Sequence, residues 1–423
     1  MATVREVQNG ALHRRYPEFY GNVYDEAEHD RRYQTLIETH AKLFSEENPI
    51  LFSTAGRSEL GGNHTDHNKG RVIAATINLD TIAAVTKRND SIVTIISEGY
   101  PPVTVDLNDL VVKKEEYNTT ESLVRGIAFA FKERNLAIGG FCANTSSKVL
   151  KGSGLSSSAA IEVLCGTIFN HLYNDDVLKP VDLAQIGQFA ENTYFGKPSG
   201  LMDQLACAYG GIIGIDFEDQ TPLIREVSCS FEEKGYRLVI VDTGGNHADL
   251  THEYASVPIE MRAVASFFDE ENLRFVSEER FLSQLPDLRS SLQNDRSILR
   301  ALHFFEENKR VEKMLEALEA DDMKRYLELV NESGESSFCF LQNLYPSIDP
   351  TEQGLSLAVA LGKEILQGQG AVRVHGGGFA GTIQAYVPIA LFDRFTARME
   401  KVFKVGSVTA LAIRKAPTTA LIY

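Results

Sequence analysis

Residues 151–163, KGSGLSSSAAIEV, set two glycines and three consecutive serines directly ahead of an apolar helix. Glycine accepts backbone conformations that other residues avoid, so the amides of Gly152, Ser153, Gly154, Leu155, Ser156, Ser157 and Ser158 are free to point one way. The first turn of the helix that follows has unpaired N–H groups and a partial positive charge. A phosphate set there gains several hydrogen bonds, and the serine hydroxyls add more or ligate a magnesium ion. The spacing is neither that of the Walker loop nor that of the dinucleotide fingerprint. Serine is also a favoured helix cap, so the stretch taken alone also reads as a capped helix behind a loose turn.

The elements that hold such a loop follow one another irregularly. Leu183, Ile186, Phe189 and Ala190 recur at helical spacing over 181–194, and helices are expected at 31–44, at 120–134 and from the serine loop to 174. PILFSTAG and VIAATINLDTIAAVTKR are rich in small and β-branched residues and predict strands, with GRSELGGNHTDHNKG as a polar turn between them. FCANTSSKVL, GGIIGIDF and YRLVIVDTG read as further strands. Long helical segments are expected at 256–269, 294–332 and 352–367, and GAVRVHGGGFAGTIQAYVP sets a glycine-rich turn between two strands. Helices mixed with strands, without a steady βαβ rhythm, predict an α+β fold. At 423 residues the chain exceeds what one core usually supports. Two domains are expected, 1–230 and 231–423, parted where SCSFEEKGY interrupts the pattern.

The balance of 58 acidic and 42 basic residues gives a net charge of -16, which argues against a nucleic-acid or anionic-membrane partner. A phosphorylated ligand must then be held by local backbone dipoles and a few placed cations. With 43% hydrophobic and 24% charged residues, the composition is that of a globular chain. No run approaches the roughly 20 apolar residues of a spanning helix, and MATVREVQNGALHRRYPEFYG has no signal-peptide stretch. Cys142, Cys165, Cys207, Cys229 and Cys339 are scattered without a CxxC pair, which predicts buried free thiols and a cytoplasmic protein. His247, His252 and His375 fall in no metal-ligand pattern and read as ordinary polar residues.

GxGLSSSAA resembles the nucleotide-phosphate motif of the GHMP small-molecule kinases, which include galactokinase, homoserine kinase, mevalonate kinase and phosphomevalonate kinase. Three further stretches carry the resemblance in the family's order. AGRSELGGNHTDHNKG, at 55–70, is similar to the galactokinase signature PGRVNLIGEHTDYNxG. GKPSGLMDQLACAYGG, at 196–211, is similar to the G-x-x-x-G-x-M-D-Q segment, and RVHGGGFAGT, at 373–382, to the glycine-rich third motif. The HTD segment favours the galactokinase branch, because homoserine and mevalonate kinases lack it.

The resemblance implies an ATP-dependent sugar kinase of two domains, with the active site in the cleft between them and the turn at 376–381 close to the serine loop. It implies that Asp203 faces the acceptor hydroxyl, as general base or orienting group. Arg57 would stand beside it and the γ-phosphate, lowering the hydroxyl's pKa and neutralising charge in the transition state. It implies Asn63, His64, Asp66, Gly200 and Tyr254 around the sugar, where short polar side chains each read one hydroxyl. Ser158 and Glu191 match the family's magnesium positions, and that ion prefers oxygen ligands. The expected partners are a small sugar and ATP, bound by a monomer or weak dimer.

The chain departs from the signature at Ala55, Glu59, Asn63 and His67, where Pro, Asn, Glu and Tyr are usual. In the third motif His375 and Ala380 stand where threonine and glycine are usual. The family's Glu at the position of Asn63 reaches the hydroxyl on the sugar's sixth carbon. An amide there removes a negative charge and would relieve repulsion against a carboxylate, as in galacturonate. The leading expectation is formation of galactose 1-phosphate; the alternatives are a kinase for galacturonate or another galactose-like sugar, and a non-catalytic galactose and ATP sensor that regulates transcription. The complete loop at Ser157, Ser158, Ala159 and Ala160, with Arg57 and Asp203 both present, argues against the sensor.

Overall fold

The computed structural model describes residues 4–22, 24–46, 48–149, 154–197, 199–245 and 250–422. Its strands are β1 (Ile50–Gly61), β2 (Arg71–Lys87), β3 (Ile92–Ser97), β4 (Val103–Asp106), β5 (Phe141–Ser147), β6 (Ile212–Asp216), β7 (Leu223–Val227), β8 (Tyr236–Asp242), β9 (Ala371–Val374), β10 (Thr382–Pro388), β11 (Val408–Leu411) and β12 (Thr419–Ile422). An eight-stranded sheet has the order β12-β1-β2-β5-β3-β4, with β6 on β2 and β7 on β6. A four-stranded sheet has the order β11-β8-β10-β9. The sheets part between β7 and β8, over residues 228–235. β12 then carries the chain back to β1, so strands from both halves of the sequence build the first sheet.

Alternating residues of β1 and β2 face opposite cores, as the two-residue period of a strand requires. Phe52, Ala83 and Val85 pack with Phe131, Phe141, Phe169 and Ile186 beneath helices Thr120–Glu133, Ser157–Asn174 and Pro180–Ala190. Leu51, Ile82 and Ala84 pack on the other side with Tyr16, Phe19, Tyr20 and Tyr33 from helices Tyr16–Tyr20 and Glu26–Phe44. Burying each such large side chain contributes about 1.5–3 kcal/mol. Helices Asp295–Glu319 and Met323–Ser336 fill the space between the sheets with Val311, Met314, Leu315 and Tyr326. The single segment expected at 294–332 is thus two helices. Asp321 turns the chain with a φ of 59°, and the Asp322 side chain then caps the second helix at the Arg325 amide.

The polar turn expected from Gly56 begins later than the composition suggests, because β1 runs on through Gly61. Its register against β2 slips between Ala55 and Arg57 and again between Glu59 and Gly61. Such bulges re-aim side chains and recur beside active sites. The polar residues of this half-strand are buried because the second sheet satisfies them. Gln384 Nε2 donates to Ser58 Oγ at 2.8 Å and to the Glu59 carbonyl at 2.8 Å, and Arg373 forms an ion pair with the Glu59 carboxylate. Arg373 is 0% exposed and Glu59 3%. Removing one partner of such a pair strands a buried charge, at a cost of about 3–5 kcal/mol. Arg373→Met is therefore expected to lose about that much stability in urea unfolding, and adding Glu59→Gln should restore most of it. A double variant no better than the single would show that the pair is not what stabilises the seam.

Cys142, Cys165 and Cys207 are buried free thiols, as expected; Cys229 is half-buried, and Cys339 departs from expectation by being exposed. No described helix is long and apolar enough to cross a membrane.

Candidate active site

Asp203 sits in the first turn of helix Met202–Tyr209, where unpaired amides favour a carboxylate. The helix is braced from outside: Thr76 Oγ1 donates to the Ala206 carbonyl at 2.6 Å, and Thr418 Oγ1 to the Cys207 carbonyl at 2.7 Å. Arg57 enters from β1 just past the first register slip. Its Nε donates to Asp203 Oδ1 at 2.7 Å and its Nη1 to the Gly154 carbonyl, while the Ser156 hydroxyl donates to Asp203 Oδ2. Burial alone would raise the Asp203 pKa; the Arg57 charge and the bonds from Arg57 and Ser156 outweigh it and hold the group below its ordinary value. Arg57 is 6% exposed, yet the Asp203 side chain keeps 35% of its surface open.

Of the phosphate loop, Gly152 and Ser153 lie outside the described residues. Gly154 has a φ of 70°, and the carbonyl of buried Leu155 accepts from the Arg57 amide at 3.2 Å. Ser156, with a φ of 60°, departs from two expectations at once: it makes no helix cap, and its hydroxyl is held by Asp203 rather than left for a nucleotide. Helix Ser157–Asn174 consequently starts with no side-chain cap and no acidic residue in its first turn, so the amides of Ser157 and Ser158 are open to an anion. A cavity of about 420 Å³ adjoins them, lined by Ser157 and Ser158 and walled by Ile95, Val103, Leu123, Ile161 and Phe195. No motif marks it in the sequence, because its walls come from separate elements.

Glu191, 2% exposed, opens a π-helical turn, Glu191–Phe195, a wide turn that recurs at functional sites. Gln204 Nε2 donates to Glu191 Oε2 at 3.0 Å and to Glu162 Oε2 at 2.9 Å. Burial, and then the Glu191 charge, push the Glu162 pKa well up. A Cβ on Gly187 would meet the Glu162 Cβ at 3.2 Å. Helices Ser157–Asn174 and Pro180–Ala190, joined by the short link 175–179, pair as an antiparallel hairpin. Ser158, one turn before Glu162, therefore comes level with Glu191. A hydroxyl and a carboxylate form a hard-oxygen set that fits magnesium, and Glu162 Oε1 adds a buried oxygen with no partner among the described residues. No described cluster offers three His, Cys, Asp or Glu ligands, so an ion here would complete its shell with water and phosphate.

On the other side of Asp203, a Cβ on Gly200 would stand 2.5 Å from Asp66 Oδ2, so glycine leaves that carboxylate room. Burial, and then the Asp203 charge, raise the Asp66 pKa from 3.8 to about 6. His64 donates from Nε2 to the Gly377 carbonyl at 2.9 Å, which makes its Nδ1 an acceptor. His67 accordingly donates to it from Nε2 at 3.2 Å and accepts at Nδ1 from Asn68 Nδ2 at 3.0 Å. Burial lowers the pKa of both rings, His64 to about 4, and keeps the relay neutral.

Asn63 departs from its expected place at a sugar hydroxyl. It is 0% exposed; Nδ2 donates to the Gly376 carbonyl at 2.6 Å and lies 3.3 Å from Glu59 Oε1, while Oδ1 accepts from Asn343 Nδ2 at 2.8 Å. The family's Asn and Glu are exchanged between positions 59 and 63, and the exchanged pair is in contact. The negative charge is therefore relocated and paired with Arg373 rather than removed.

Tyr254 likewise turns to the third motif: its hydroxyl donates to the Gly378 carbonyl at 2.9 Å and its ring stands edge-on to Phe379 at 5.4 Å. Asn63, His64 and Tyr254 thus take the carbonyls of Gly376, Gly377 and Gly378 in turn. No described group accepts from the amides of these glycines, which leaves them for an anion. The turn does approach the serine loop, since a Cβ on Gly154 would lie 3.4 Å from His375 Nδ1. His375 bridges Ser58 Oγ at 3.1 Å and Thr382 Oγ1 at 3.0 Å. His247 lies outside the described residues, and His252 is exposed.

The GHMP kinases N-terminal domain model matches residues 122–211, and the galactokinase galactose-binding signature matches residues 38–87. The Lactococcus lactis galactokinase, solved in complex with galactose, is 26% identical with a TM-score of 0.79, covering 92% of this chain and 99% of its own. The Methanococcus jannaschii mevalonate kinase (18% identity, TM-score 0.62, 86% of this chain and 98% of its own) shares the fold. So does the Streptococcus pneumoniae phosphomevalonate kinase in complex with phosphomevalonate and AMPPNP (13% identity, TM-score 0.58, 85% and 98%). The fold is that of the GHMP kinases, and their N-terminal domain model matches the segment that carries the serine-loop helix and Asp203. Within that family the likeness is to the galactokinase branch, through the signature over 38–87 and the Lactococcus lactis enzyme.

Proposed function

We propose that this chain transfers the γ-phosphoryl group of ATP to the anomeric hydroxyl of galactose. The observation that carries the reading is the setting of Asp203, an ionised and partly open carboxylate. Ser156 ties it to the uncapped start of helix Ser157–Asn174, and Gly200 borders it with Asp66. The galactose-binding signature over 38–87 supports the sugar.

The phosphates lie against the amides of Ser157 and Ser158 and of the turn 376–378, with the base in the cavity beside them. Arg57, fixed by Asp203 and the Gly154 carbonyl, supplies a charge that needs no reorganisation during the reaction. Asp203 orients the sugar hydroxyl and accepts its proton. Asp66 accepts from neighbouring sugar hydroxyls. Asn63, His64 and Tyr254 shape the sugar side by fixing the third-motif turn. Ser158 and Glu191 would hold magnesium, which neutralises phosphate charge when bound. The free thiols fit a reducing, cytoplasmic setting.

The direct test is release of ADP from ATP with galactose, galacturonate or N-acetylgalactosamine, and phosphorus NMR of the product. Galactose should be preferred and yield a 1-phosphate. A preference for galacturonate would overturn the substrate, and binding of sugar and ATP without turnover would favour a sensor.

The raised pKa of Asp66 gives a second expectation. Below pH about 6 its carboxylate takes up a proton and becomes a weaker acceptor for the sugar. kcat/KM for galactose should therefore fall about tenfold per pH unit on the acid side, and Asp66→Asn should be low but flat there. Linkage at this group has the opposite sign. A folded state that holds the proton more tightly than the unfolded chain gains stability as pH falls from about 6 toward 3.8. Circular dichroism across this range separates lost activity from lost fold.

A further inference from the structure

Lys197 has no part in the steps above. It lies in the segment between the π-helical turn that opens with Glu191 and the helix that carries Asp203, just after Gly196, which has a left-handed φ of 80°. Its Nζ donates to Glu191 Oε1 at 3.0 Å. Its charge also acts on Glu162 and Asp203, so it stands among three carboxylates that border the path of the phosphoryl group.

Among the described residues, the arginines beside Asp203 and Glu59 are already committed to those carboxylates. The chain carries a net charge of -16, and a nucleoside triphosphate brings several negative charges more. Arg57 is 6% exposed and held by Asp203 and Gly154; Arg373 is 0% exposed and held by Glu59. The Lys197 side chain is 58% exposed against 3% for Glu191. Its ammonium has three donors on a flexible stem, and one bond to Glu191 leaves two for other oxygens. Glu191 does not depend on Lys197 for a partner, since Gln204 already donates to its other oxygen.

We propose that Lys197 is a phosphate-binding cation, contacting the nucleotide's phosphate oxygens from the Glu191 side of the site. The proposal rests on the kinase reading. It makes Lys197 a partner to the metal: both bring positive charge to the same oxygens, and each matters more when the other is missing.

The test is calorimetric binding of AMPPNP and of adenosine to wild type and Lys197→Met, in EDTA and in excess magnesium. Lys197→Met should weaken AMPPNP in EDTA about ten- to a hundredfold, the effect of one charged hydrogen bond. The loss should be smaller in magnesium, and adenosine, which has no phosphate, should bind unchanged. Equal AMPPNP affinities for the two proteins in EDTA overturn the proposal alone. Equal weakening of AMPPNP and adenosine overturns it too, in favour of a purely structural lysine. A wild-type protein that binds no AMPPNP in magnesium overturns the kinase reading, and this proposal with it.

Discussion

Asp203→Asn is expected to lower turnover by about 10²- to 10⁴-fold while the folded protein still binds both substrates. The amide keeps an acceptor for Arg57 Nε and fits the same volume, so the helix Met202–Tyr209, braced by Thr76 and Thr418, has no reason to move. What is lost is an ionised oxygen able to take a proton. ATP-analogue binding should hold or tighten, because a negative charge has left the neighbourhood of the phosphates. Single-turnover kinetics beside calorimetric titration of AMPPNP make the check. Normal turnover would remove Asp203 from the chemistry, and loss of analogue binding would make it a scaffold for the phosphate loop.

Gly378→Val is expected to abolish the third-motif turn rather than trim it. The native φ is 78°, a region a β-branched residue avoids, and an added Cβ would collide with the Asn343 carbonyl oxygen. Strained backbone of this kind costs about 1–3 kcal/mol where it survives at all. Here it also displaces carbonyls that Asn63, His64, Asn343 and Tyr254 hold. Misplacing catalytic surroundings by about an ångström can cost 10²-fold in rate. Turnover at a temperature well below the variant's melting point should fall by about that factor, with Gly378→Ala between it and wild type. If activity falls only in proportion to unfolded protein, the turn serves the fold alone.

The elements that hold the site were legible where one-sided periodicity or glycine punctuates the chain. The helix behind the serine loop, the Asp203 helix and the strand after the glycine turn stand where their motifs predicted. Three details were not legible, each for a physical reason. The strand β1 through Gly61 hides because its buried polar residues are paired by Arg373, His375 and Gln384, far along the sequence. The fate of Asn63 depends on which way its side chain points, and composition is silent on direction. The hydroxyl of Ser156 looks like its neighbours in sequence, yet a positive φ swings it to Asp203. A lone lysine beside a motif, as Lys197 is, ordinarily reads as a solvated side chain.

The pairing of Thr419 with Ser53, and the reach of Thr418 to the Cys207 carbonyl, tie assembly of the reaction centre to the order of protein synthesis. While the ribosome is still translating, β1 waits with one edge unsatisfied and the Asp203 helix lacks a brace. Neither is supplied until residues 418–422 leave the exit tunnel. Contacts this distant along the chain form slowly and late. A nascent polypeptide stalled shortly before them would expose a bare strand edge to chaperones and proteases, with no working kinase yet made.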